Sequence, residues 1–443
     1  MNRHVLTPRM RPLPTRRSST LAVLDVGTSK VVCLIAKLLP CEPTDMLHGR
    51  THRCKILGIG HQRARGIKSG VVIDMEEAEK TIRMAVDAAE RMAGVEVETV
   101  IVNMTGGRMG SQHSKSSLNI GNRAVGAADL NRILEVASGH VARDGRAVIH
   151  SLPNGFELDS TRGIRDPKGM IGETLTVDLH TVSVEAAAAR NLMLAIERCH
   201  LTVEAIVATP YASALSVLAD DEADMGAAII DLGGGTTSIS VFEQGRLAHV
   251  DAIAVGGNHI TMDIARGLST RVTDAERLKI VYGSCIASPS DIRETITITT
   301  AGDEGDQPTH LPKTQLVRII KPRVEEILEL VRDRLKASGF AAPAGRRLIL
   351  TGGGAQLTGM VELARQTISS TVRIGRPLGV QGLPESAKSP GYSASVGLLI
   401  YPQVAAIEHF TQGKKTTLTQ NITKANGTDG YVARVGRWLK ESF

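Results

Sequence analysis

Two stretches of the chain share one unusual plan. In residues 21–36, LAVLDVGTSKVVCLIA, an apolar run stops at Asp25, turns at Gly27-Thr28-Ser29 and resumes at Val31. In residues 227–242, AAIIDLGGGTTSISVF, an apolar strand again ends in an acid, Asp231. Gly233-Gly234-Gly235-Thr236-Thr237 follows, then Ile239 and Val241 in alternation. Each reads as strand, turn, strand. The copies lie about 206 residues apart, a domain-sized period that predicts two related halves rather than a solenoid. Around them the periodicity predicts helices over 74–93, 128–138, 184–199, 273–281 and 314–338, and a strand over 97–106. Residues 346–368 read as strand, Gly-rich turn and helix, and the segment around 299–312 as a polar loop. The alternation of strands and helices predicts an α/β protein.

Composition narrows the class. At 42% hydrophobic and 22% charged residues the chain is ordinary for a globular protein, long enough for two to four domain-sized units. No apolar run approaches the ~18 residues of a membrane-spanning helix. The N-terminal residues lack the apolar core of a secretory signal. The five Cys are scattered without CxxC spacing, so the expectation is reduced thiols in the cytosol and no metal cluster. The net charge of +6 arises largely from five Arg in residues 1–20, leaving about +1 on the rest. With only 11 aromatics in 443 residues there is no stacking surface for single strands, and nucleic acid is not an expected partner.

An acid closing a buried strand before a Gly/Thr turn has two uses. It can cap a tight hairpin. It can also form a phosphate clamp, in which glycine lets backbone N–H groups approach the oxygens, Thr and Ser hydroxyls donate, and the Asp helps hold hydrated Mg²⁺. Two such turns facing each other would grip a triphosphate from both sides. That makes Asp25, Gly27, Thr28, Ser29 and Lys30 candidate ligands with Asp231, Gly233, Gly234, Gly235, Thr236 and Thr237, and the two acids the metal candidates. Neither turn is a Walker A or Rossmann loop: GK[ST] is missing, and a strand follows each turn instead of a helix. A third glycine run, Gly352-Gly353-Gly354, precedes a helix and would let a flat adenine lie against the backbone.

This order of motifs resembles the superfamily of actin, sugar kinases and heat-shock chaperone ATPases. Within it the chain is similar to the FtsA family of actin-like bacterial cell-division proteins, from about residue 20 to 408 and again at the C-terminal tail. The stretches ELDSTRGIRDPKGMIGETLTVDLH (157–180), TDAERLKIVYG (273–283) and VGGNHIT (255–261) carry the narrower match, together with IIKPRVEEILELV, RIGRPLGVQGL and GYSASVGLL. The resemblance implies ATP with Mg²⁺ in an interdomain cleft, with Gly256, Gly257 and Asn258 beside the nucleotide and Glu276 and Lys279 facing the ribose. It implies an actin-like two-domain fold of duplicated ribonuclease-H-like cores. The first core is expected over 21–96, 179–211 and 370–408, with an FtsA-type inserted subdomain over 97–178. The second core is expected over 212–262 and 341–369, with a smaller lobe over 263–340. Also implied are self-assembly into filaments, capture of the C-terminal peptide of the tubulin-like FtsZ on that smaller lobe, and recruitment of later division proteins through the insert. Lys321 and Arg323 are candidate contacts for an acidic peptide, or members of a solvated helix face.

Hydrolysis is a separate question. Chaperones and rod-forming bacterial actins resemble this chain at AIVATPYASALSVL (205–218) but place an acid just before the Pro, where it orients the attacking water. Here that position is Thr209, a poor base, so ATP binding with weak or no turnover is expected. Two other readings share the fold: a small-molecule kinase, for which no substrate-side carboxylate stands out, and a pilus-assembly relative.

The C-terminus decides among them. After a basic arm (1–20) at one end and a linker (409–429) at the other, residues 430–443 form a predicted amphipathic helix. At 100° per residue, Tyr431, Val432, Val435, Trp438, Leu439 and Phe443 fall within about 140° of one another, with Arg434, Arg437, Lys440 and Glu441 opposite. Three of the scarce aromatics stand on this face. A helix of this length is marginal alone and needs an apolar partner, either the protein's own body or a lipid surface, and a disordered end is the third reading. Trp and Tyr suit a lipid headgroup boundary, and Arg and Lys suit anionic lipid. The expectation is a peripheral tether on the cytoplasmic side of the inner membrane at the division septum.

Overall fold

The computed structural model describes residues 10, 12–14, 17–41, 50–139, 145–300, 307–341, 347–369 and 371–409. All of these lie in the unit Met1–His409. The expected linker beyond His409, the expected C-terminal helix and much of the basic arm lie outside the described residues.

Two sheets repeat one strand order. In the first, His52–Arg63, Lys30–Pro40 and Ser19–Val26 run antiparallel, then Thr99–Met104 and Thr202–Ala208 run parallel to Ser19–Val26. Short Val380–Gln381 adds an outer edge. In the second, Arg246–Ile253, Thr237–Glu243 and Ala227–Leu232 are antiparallel, then Leu348–Thr351 and Val372–Ile374 are parallel. The repeat visible at Asp25 and Asp231 is thus a repeat of whole sheets. Ala22–Val26 and Ala227–Leu232 are buried throughout, as the continuous apolar runs required of central strands.

Two expected boundaries move. Strand Thr99–Met104, expected in the insert that begins at 97, pairs between Ser19–Val26 and Thr202–Ala208 and belongs to the first core. Strand Val372–Ile374, expected in the first core from 370, pairs with Leu348–Thr351 and belongs to the second. In both places the strand's hydrogen-bonded partners assign it to its sheet.

Helix Met75–Ala93 covers the first sheet. Asp74 caps it, accepting from the Glu76 and Glu77 amides at 3.1 Å each, and Ala78, Ile82, Ala85, Val86 and Ala89 form its buried stripe. Helix Lys313–Ala337 does the same for the second lobe through Leu316, Ile320, Val324, Ile327, Val331 and Leu335. Between the lobes lie Thr209–Val217 and Ser393–Val404, buried on nearly every face. They pack on each other through small residues, with Gly397 against the Ala212 carbonyl.

The segment expected as a polar loop around 299–312 contains part of a hairpin, Thr295–Thr300 against Gln307–Pro312. Its alternation begins before 299: Ile296 and Ile298 point inward, with Leu311 opposite, and Thr295 and Thr297 point out. The inserted subdomain is a separate four-stranded sheet, ordered Gly110–Ala124, Ile171–Glu185, Arg146–Leu158 and Thr161–Ile164. Helix Ala127–Gly139 closes its own core of Ile133, Leu134, Leu175, Val177 and Leu179. Among the described residues no helix is long and apolar enough to cross a membrane.

Candidate functional site

The two Asp–Gly turns are built alike. In the first, the Gly27 amide donates to the Lys30 carbonyl at 3.0 Å, and in the second the Gly233 amide donates to the Thr236 carbonyl at 2.9 Å. Each turn leaves its acid at the end of a buried strand. The turns meet: a Cβ on Gly234 would stand 1.9 Å from Ser29 Oγ, so any side chain at 234 would have to displace the Ser29 hydroxyl. Ser29 Oγ also donates to Asn258 Oδ1 at 3.3 Å.

Between them opens a cavity of about 730 Å³, of the size that takes a small ligand or cofactor. It brings together Asp25, Gly27, Thr28, Ser29 and Lys30 with Asp231, Gly233, Gly234 and Thr236. Gly257, Asn258, Glu276, Lys279 and Gly352, Gly353 and Gly354 also line it. Gly235, Thr237 and Gly256 are candidates that do not. Thr237 is fully buried and donates to the Val255 carbonyl at 2.8 Å, while Gly235 packs on Thr28 and Gly256 on the Gly233 carbonyl. The amides of Gly257 and Asn258 are spent on the Gly233 and Gly234 carbonyls, which fixes helix Gly257–Gly267 to the second turn.

Each acid is held by a serine from the buried helix pair. Asp25 accepts from Ser395 Oγ at 2.6 Å and from Asn103 Nδ2 at 2.7 Å. Asp231 accepts from Ser213 Oγ. Burial pushes both carboxyls above their ordinary range, Asp231 to about 6, where the Asp25 charge adds to the effect. Lys30 stands in the field of both acids, and its own pKa is lowered by burial. Gly352, just beyond the neighbouring strand Leu348–Thr351, approaches Asp231 at φ +81, where a Cβ would lie 2.3 Å from Asp231 Oδ1. Both its left-handed backbone and this contact require glycine.

Lys279 ties the rear of the cleft together, donating to Glu276 Oε2 at 2.7 Å, Thr261 Oγ1 at 2.8 Å and the Gly257 carbonyl at 3.1 Å. Exposed Ile280 and Val281, on the same helix Val272–Tyr282, add apolar surface to the cavity wall. Thr209 Oγ1 lies 2.5 Å from Thr105 Oγ1 and accepts from Asn103 Nδ2 at 3.1 Å.

Sequence reasoning missed Asn103, Thr105, Ser213, Ser395 and Tyr392. Asn103 carried a signal, an amide inside the buried run TVIVNM. The serines carried none, because Ser395 lies 370 positions from the acid it holds. Elsewhere, Arg323 is bonded to Asp263 at 2.6 and 3.2 Å and to Glu326, which makes it a brace between helices. Lys321 is half-exposed, 3.7 Å from Glu325. Tyr431, Val432, Val435, Trp438, Leu439 and Phe443 lie outside the described residues.

The cleft chemistry fits a nucleotide with a divalent cation. Among the described residues no three His, Cys, Asp or Glu side chains cluster as a metal cage. Asp25 and Asp231 both line the cavity and are the carboxylates that could hold a cation such as Mg²⁺, which keeps waters and shares its coordination with phosphate oxygens.

Two sheets of one strand order, joined through a pair of packed helices and meeting at paired Asp–Gly turns, define the actin-like ATPase fold. Residues 228–397 match the family model for cell division protein FtsA, and residues 106–183 match that for the SHS2 domain inserted in FTSA. The chain belongs to the FtsA family of cell-division proteins. It is 52% identical to cell division protein FtsA of Agrobacterium fabrum over 442 residues, 99% of this chain and 98% of that one. It is 30% identical to FtsA of Escherichia coli K12 over 427 residues, 95% and 97% of the two. Among solved structures, the PilM–PilN type IV pilus biogenesis complex matches with TM-score 0.61 at 13% identity, covering 86% of this chain and 98% of that one. MreB5 of Spiroplasma citri bound to ADP matches with TM-score 0.53 at 15% identity, covering 88% and 98%. At these identities the structures speak to the fold alone.

Proposed function

We propose that this protein binds ATP with Mg²⁺ between the two Asp–Gly turns, polymerises in that state on the inner face of the cytoplasmic membrane, and tethers FtsZ filaments there. The observation that carries the reading is the meeting of two like-built turns, each presenting a serine-held carboxylate, around a cavity that Lys30 also lines. In this reading the backbone amides and hydroxyls of Thr28, Ser29 and Thr236 bind the phosphate chain, and Lys30 neutralises part of its charge. Asp25 and Asp231 hold the cation, which supplies further charge neutralisation. Glu276 and Lys279 face the ribose, and the base lies between the Gly352–Gly354 loop and the apolar end of helix Val272–Tyr282.

Turnover is slow or negligible in this reading. The carboxylates lining the cleft among the described residues are Asp25, Asp231 and Glu276. The first two are assigned to the cation, and Glu276 is bonded to Lys279. At the position of the hydrolytic relatives' acid stands Thr209, whose hydroxyl is engaged with Thr105 and Asn103. The nucleotide therefore acts as a wedge that sets lobe closure.

The tether is assigned to 430–443 on its amphipathic pattern, and the FtsZ peptide to the smaller lobe near Lys321, with Arg323 as an internal brace. The inserted subdomain is the surface offered to later division proteins. One helix of net charge +2 binds lipid weakly, and polymerisation supplies avidity by presenting many. Calorimetric titration of the full chain with MgATP tests the site. One ATP should bind per chain, and Asp25→Asn and Asp231→Asn should each weaken MgATP at least about tenfold. Unchanged affinity in both variants would remove the cation assignment.

A further inference from the structure

Lys30 reaches across the cleft onto an aromatic ring. Its Nζ stands 3.4 Å from the centroid of Tyr392, within the range of a cation–π contact. Asp25 and Asp231 both attract it, yet among the described residues no carboxylate oxygen lies within 4.0 Å of Nζ and no hydrogen bond takes its donors. An ammonium on a flexible four-carbon stem ordinarily finds an acid when two are near. Here the ring holds it short of both, with its N–H donors available to the cavity that Lys30 and Tyr392 both line.

The ring itself is fixed from the other lobe. The Gly352 amide donates to the Pro390 carbonyl at 3.2 Å, and Thr351 Oγ1 lies 2.6 Å from Ser393 Oγ. Gly391 packs against Gly353 and Lys30 Nζ together. Pro390–Ser393 is thus pinned to the second-lobe glycine loop while its Tyr392 ring carries a first-lobe lysine.

We propose that Tyr392 is a positioning residue for phosphate recognition: its π face holds the Lys30 ammonium between the two turns, so that the glycine loop of one lobe sets the cation that the other lobe presents to the phosphates. The proposal rests on the nucleotide reading of the cleft. It assigns Tyr392 a role in reading phosphate, separate from any contact with the base.

The test is equilibrium binding of adenosine, ADP and ATP, with Mg²⁺, to the full chain as wild type, Tyr392→Phe, Tyr392→Leu and Lys30→Met. The phenyl ring keeps the π face, so Tyr392→Phe should match wild type within about twofold. Tyr392→Leu should weaken ADP and ATP about tenfold and leave adenosine unchanged. In the Lys30→Met background, Tyr392→Leu should have no further effect, since the two residues act as one unit. Should the leucine variant not fold, Tyr392→Met fills similar volume without a π face and carries the same expectation. Equal losses for adenosine and ATP, ATP binding by Tyr392→Leu as tight as wild type, or additive effects with Lys30→Met would overturn the proposal. Failure of the wild type to bind ATP at all would instead remove the cleft reading on which it rests, and the proposal with it.

Discussion

At the scale of single residues the cleft is a set of charges kept under tension until something neutralises them. Asp231 shows it most clearly. Burial, with the nearby Asp25 charge, raises its pKa from 3.8 to about 6. A raised folded-state pKa means that the stabilisation it brings is complete below the unfolded value and is lost as pH rises through 6. At pH 7.5 the ionised carboxylate therefore burdens the fold. Asp231→Asn, which can still accept from Ser213, should raise the Tm of the nucleotide-free protein by a few degrees at pH 7.5 and by less at pH 4.5. The same substitution should abolish most of the Tm gain from MgATP. Scanning calorimetry at the two pH values checks both, and a lower nucleotide-free Tm at pH 7.5 would contradict the assignment.

Thr209 is the second residue on which the account turns. It occupies a strand-to-helix junction with its hydroxyl already satisfied. Thr209→Glu should raise a slow single-turnover ATP cleavage rate by about tenfold or more, in line with what a positioned base contributes. A wild-type rate comparable to that of chaperone ATPases would contradict slow turnover. Of the cleft residues, those in the Asp–Gly turns were legible because acid, glycine and hydroxyl recur in one order. Ser213, Ser395 and Tyr392 were not, since their roles follow from helix packing and not from local pattern.

At the scale of elements, the hairpins and covering helices follow from periodicity, while strand ownership does not. Thr99–Met104 and Val372–Ile374 read as strands equally well in either neighbouring domain, and only pairing assigns them. The insert illustrates the same limit: its tail was legible as family sequence, but its contact with the second lobe was not. There His113 of strand Gly110–Ala124 lies 2.7 Å, by Nε2, from the Ala248 carbonyl and 3.1 Å, by Nδ1, from Asp178 Oδ1. Both neighbours accept, so both bonds form fully only in the doubly protonated ring. His180, stacked on it at 4.8 Å, is held neutral by burial.

Burial lowers the His113 pKa, but the Asp178 and Ala248 bonds outweigh it and leave the net shift upward. Lys115 and His249 also face this group, and Asp251 acts on His249. The stabilisation is therefore full below the ordinary value near 6.5 and is lost as pH rises through the folded-state value. Hydrogen exchange across Arg246–Ile253, corrected for intrinsic rates, should show protection falling as pH rises from 6 to 8. His113→Ala should remove that pH dependence at a cost of about 1 kcal/mol. Protection that rises with pH would contradict it.

At the scale of the molecule, duplication and cleft were the legible parts. A repeated acid–glycine turn implied two lobes, and two lobes of one strand order are present. The scarcity of aromatics also finds an explanation: the lobe cores are mainly aliphatic, with Tyr211, Phe242 and Tyr401 as exceptions, and the cleft relies mainly on amides, hydroxyls and carboxylates. Three of the eleven aromatics fall in residues 430–443, the segment to which the tether is assigned. The most direct measurement is co-sedimentation of FtsZ with liposomes containing anionic lipid, in MgATP. The full chain should carry FtsZ into the pellet, whereas a chain ending at residue 429 and Trp438→Glu should leave it in the supernatant. FtsZ pelleting equally well with the shortened chain, or not at all with the full one, would contradict the account.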